Sequence, residues 1–140
     1  MILTCNYEEV TALSHGARAF LEADAPDSGG IAAPSQERGE VEGLLPQLTG
    51  DLSFQTLAEQ RHAERGVAVV VRHLRATMTE MVAATHPAAE EAVASYFDWA
   101  HALSVLHRLQ ELGAEMEAMV EVVTGRPPSG ELLHSFHFPD

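Results

Sequence analysis

Apolar residues recur at helical spacing over three stretches of the chain, with breaker-rich segments between them. Val10, Leu13, Ala17, Phe20 and Leu21 follow the short apolar run MILTC and share one face of a helix over about residues 7 to 23. Asn6 and Glu9 stand at capping-box spacing, with Asn in place of the usual Ser or Thr. A second stripe, Val67, Val70, Val71, Leu74, Met78, Met81 and Val82, predicts a long helix over about 54 to 84, capped by Asp51 or Ser53. THPAAEEA then marks a restart. Thr85 or His86 serves as cap, Pro87 suits the first turn, and Glu90 and Glu91 lie where the helix dipole favours negative charge. The third helix runs over about 88 to 124 and ends at Gly125 and the RPP that follows.

The connection between the second and third helices is short enough to dictate an antiparallel hairpin folded about residue 86. The expected fold is therefore mainly α, a single domain over 1–140 in which a long antiparallel helical hairpin is joined by a shorter N-terminal helix. This register sets Arg61 and Arg65 beside Glu111 and Glu115, and Arg72 and Arg75 near Asp98. The arginines then read as internally paired rather than as an anion site. Residues 24–40, with two prolines and three glycines, read as a flexible loop, and VEGLLPQL as a helical turn before Pro46. The C-terminal tail, about 126–140, alternates Leu132, His134, Phe136 and Phe138 as a half-buried strand does. It pairs with MILTC in a small two-stranded terminal sheet, or serves as an extended arm on another subunit. Either arrangement has to lean on the helices.

Composition narrows the function classes. The 140 residues carry 21 acidic side chains against 8 arginines and no lysine, a formal charge of −13. Such a surface repels phosphate backbones and anionic membranes, so direct nucleic-acid binding and membrane binding are not expected. The exception is an acidic nucleic-acid mimic that occupies a basic partner's groove. Cys5 is the single cysteine, which rules out an internal disulfide and a cysteine-based zinc cluster. Neither a signal peptide nor a run of about 18 apolar residues is present, and the expected location is cytoplasmic.

Eight histidines raise the question of a metal. Glu59 with His62 and Asp98 with His101 have the i, i+3 spacing of di-iron bundles, but His62 and His101 fall at different levels of the hairpin, too far apart to share one centre. His73 and His101 fall at a similar level, with Asp98 one turn from His101. These three could hold zinc or another transition metal with a position open to water. His107 lies on an apolar line through Tyr96, Ala100 and Leu103 and reads as a core histidine. His134 and His137 point to opposite faces of a strand. Cys5 precedes a helix N-terminus, which could lower its pKa. No glycine-flanked serine elbow or phosphate loop occurs, so no catalytic residue is assigned.

The third helix is apolar over more than one stripe, more than a hairpin and one short helix need to cover. The excess points either to packing beneath the N-terminal helix and the tail or to burial against a second copy, with Tyr96, Trp99, Met116, Met119, Phe136 and Phe138 as partner-binding candidates. The expected function is a protein-interaction or assembly module, a homo-oligomer (a dimer) or an accessory subunit, without a cofactor. A small metal-dependent enzyme or metal-binding protein using His73, Asp98 and His101 is the competing class.

Overall fold

The structure is a computed structural model that describes residues 1–23, 36–84 and 90–125. Strand β1 (Ile2–Leu3) leads into α1 (Tyr7–Ala23). After α2 (Gln36–Leu44) come a 3-10 turn (Leu45–Gln47) and β2 (Leu52–Ser53). The long helices α3 (Leu57–Ala84) and α4 (Glu90–Thr124) form the hairpin. The tail and the Thr85, His86 and Pro87 caps lie outside the described residues.

Local chemistry sets the helix ends. In the capping box of α1, the Glu9 amide donates to Asn6 Oδ1 at 2.8 Å and the Asn6 amide to Glu9 Oε1 at 3.0 Å, which satisfies two donors at the helix start. Helix α3 starts later than expected and is capped by neither Asp51 nor Ser53. Thr56 Oγ1 accepts from the Glu59 amide at 3.1 Å, and Glu59 Oε1 accepts from the Gln55 amide at 2.7 Å. Asp51 instead accepts from the Cys5 amide at 3.0 Å, and Ser53 belongs to the sheet. Helix α4 ends where Gly125 takes φ +75°, a left-handed conformation that glycine adopts without steric cost, and its amide donates to Glu121 O at 2.8 Å.

Helix α3 is the hub of the fold, packed against α1, α2 and α4. Each partner meets it where one side lacks a side chain. A Cβ on Gly16 of α1 would lie 2.7 Å from Val70, and one on Gly66 of α3 would lie 3.0 Å from Glu40 O of α2. A Cβ on Gly113 of α4 would lie 2.8 Å from Gln60 Nε2. Leu13, Val41, Val67, Val70, Val105 and Leu109 fill the core between these crossings and are almost fully buried. Each such side chain stabilises the fold by about 1.5–3 kcal/mol relative to exposure.

Two expectations are corrected here. Of the loop expected over 24–40, residues 24–35 lie outside the described residues, and residues 36–40 instead open α2, which buries Val41 and Leu44 on α3. The arginines of α3 pair mainly with that helix rather than with the third helix of the sequence reading. Arg65 bonds Glu40 and Arg72 bonds Glu37, both at 2.6 Å, while Arg61 meets Glu117 of α4 at 3.1 Å. The hairpin register holds, with Gln60 Nε2 donating to Leu109 O at 2.8 Å and Ser95 Oγ meeting Met81 Sδ at 3.3 Å. The described partner of β1 is β2, antiparallel, with Ile2 opposite Ser53 and Leu3 opposite Leu52.

Candidate functional site

The three residues considered as metal ligands have separate surroundings. His73, half-buried on α3, stacks edge-to-face with the Phe20 ring, centroids 5.7 Å apart. Burial pushes its pKa below 6.5, partly offset by nearby Glu80 and assisted by Arg72. Asp98 on α4 faces His15 of α1, Nδ1 to Oδ2 at 3.3 Å, and His101 is half-buried one turn away. Among the described residues, no group of three or more His, Cys, Asp or Glu side chains is arranged to hold a metal ion. Spacing along α4 puts Asp98 beside His101, but no spacing signals that His15, on another helix, meets Asp98.

His107 is exposed, not a core residue. The buried line of α4 runs through Ala102, Val105, Leu109, Leu112 and Met116, which leaves position 107 on the outer side. Cys5 is half-buried, and its thiol pKa is raised, first by burial and then by Glu9. The thiolate is thus disfavoured, contrary to the helix N-terminus expectation. Glu59 serves the α3 cap, and His62 Nδ1 accepts from Arg65 Nη2 at 3.1 Å, so both are engaged locally.

Two buried polar groups hold helices together. Glu9 accepts from Arg108 Nη2 as well as from its own cap, while Arg108 Nη1 donates to Thr4 O at 2.6 Å. Gln60, fully buried, donates to Glu64 Oε1 and Leu109 O, and its Oε1 has no partner among the described residues. A cleft of about 500 Å³ lies between α2 and α3, with Gly39 and Gly43 on one wall and Glu59 and His62 on the other.

Apart from Ile2 and Tyr7, the large exposed apolar side chains of the described residues gather toward the two ends of the hairpin. At the turn end, Val82 of α3 is 47% exposed, and Val93, Tyr96 and Phe97 of α4 are 45%, 50% and 54% exposed. With Met78 and Ala92 they line a shallow groove that no charged side chain enters among the described residues. Tyr96 makes an edge contact with Phe97, centroids 5.7 Å apart, and a tilted one with Trp99 at 5.8 Å. At the opposite end, Met1, Phe54, Leu57, Met116, Met119 and Val123 line a cleft of about 540 Å³.

The partner-binding candidates therefore divide. Tyr96 and Met119 are exposed, whereas Trp99 packs half-buried against the core and Met116 is buried in it. Phe136 and Phe138 lie outside the described residues. Val82, Val93 and Phe97 were missed as surface candidates, since an apolar stripe looks the same whether it is covered or bare. Comparison of the chain with protein-family models, with curated proteins and with solved structures finds no match.

Proposed function

We propose that the chain is an assembly module that pairs with a second copy of itself through the turn end of the hairpin. The observation that carries this reading is the uncharged cluster of Val82, Val93, Tyr96 and Phe97, left half-exposed on a strongly acidic chain. Large apolar side chains grouped in this way mark contact surfaces. A second copy suits the patch because it spans two antiparallel helices. A two-fold axis through the groove sets the end of α3 in one chain against the start of α4 in the other and completes a four-helix arrangement. At −13 per chain, two copies repel at long range, so the contact has to rely on short-range apolar burial.

Sedimentation equilibrium tests the reading. Dimers are expected for the native chain and monomers for a Tyr96→Ser, Phe97→Ser double variant of unchanged helicity. A native chain that stays monomeric across the accessible concentrations would refute it. Nothing in the arrangement of His73, Asp98 and His101 favours the metal alternative.

A further inference from the structure

We propose that residues 126–140 return along their own chain and fill the apolar cleft at the open end of the hairpin, seating Phe136 and Phe138 there. The floor of the cleft is core, since Phe54 is 1% and Met116 8% exposed. Its rim is bare, with Met119 at 55% and Val123 at 83%. Among the described residues no acidic or basic side chain lines it, although the chain carries 21 acidic groups. Such a surface calls for an apolar occupant.

Three features select the tail. First, the chain leaves α4 beside the cleft, because Val123 and Thr124 line it and Gly125, at φ +75°, ends the helix. Second, the tail carries Leu132, Leu133, Phe136 and Phe138, and alternation puts Phe136 and Phe138 on one side of an extended segment. Third, reach is ample. Phe136 stands about eleven residues past Gly125, or about 36 Å extended, while Met116 to Val123 spans only about 10 Å of helix. A tethered segment also acts at a millimolar effective concentration, which favours it over a second copy or a free partner.

Methionine-methyl NMR on the full chain tests the assignment, since Met116 and Met119 report on the cleft while Met78 and Met81 report on the far end. Phe136→Leu and Phe138→Leu keep an apolar side chain but remove the ring current. The expected result is that the Met116 and Met119 resonances move in the double variant, those of Met78 and Met81 stay, and the pattern is unchanged by dilution. Unmoved Met116 and Met119 signals overturn the proposal. Shifts that disappear on dilution overturn it as well and assign the cleft to the tail of a second copy. The dimer at the turn end is judged separately, by the sedimentation of the Tyr96 and Phe97 variant.

Discussion

His73 shows how one half-buried ring ties stability to pH. Burial favours its neutral form, so the unfolded chain takes up the proton first as pH falls below 6.5. The sign follows: this contribution is intact above about 6.5 and is lost as pH drops from there toward the lowered folded value. Urea unfolding at about pH 7 and about pH 5.5 is expected to show a smaller acid loss in His73→Leu than in the native chain. The glycines separate just as clearly. Gly113→Ala drives a methyl onto the buried Gln60 amide and is expected to cost about 1–3 kcal/mol in the same assay. Gly39→Ala meets nothing within 4 Å on α2 and is expected to stabilise by about 0.4–1 kcal/mol.

At the scale of the element, one salt bridge ties together three pieces of chain. Glu9 caps α1 and receives Arg108 from α4, while Arg108 also holds the carbonyl of Thr4 after β1. Glu9 is 9% exposed at its side chain and Arg108 34%, so removing the arginine strands a nearly buried carboxylate. Arg108→Ala is expected to cost about 1–3 kcal/mol, read from denaturant midpoints, with Arg108→Lys recovering only part because one ammonium cannot span both acceptors. The half of this arrangement within α1 was legible, since Asn6 and Glu9 are three residues apart. Arg108 was not, because its partners lie about a hundred positions away in sequence. Helix α2 was illegible for a related reason. QERGEVEGL buries only Val41 and Leu44, and its helicity rests on α3, which receives Leu44 at Gly66 and supplies Arg65 and Arg72. The long helices of the hairpin carry enough periodic apolar residues to declare themselves without such help.

For the whole molecule, charge and apolar surface predict opposite responses to salt. A chain of −13 that pairs through uncharged side chains gains from screening, so dimerisation measured by sedimentation is expected to tighten as ionic strength rises. Binding of an acidic mimic to a basic partner would weaken instead. No helix among the described residues is long and apolar enough to cross a membrane.

The central place of α3 also bears on how the chain comes apart. Helices α1, α2 and α4 are each seated on it at a glycine, where backbone and side chain interlock too closely for one helix to slide while the others stay. Loosening any of the three exposes part of the buried Ala63–Leu74 stretch and weakens the seats of the other two. Opening is then expected to be cooperative rather than helix by helix. Amide protons of that stretch would exchange with solvent last, at a rate set by global unfolding.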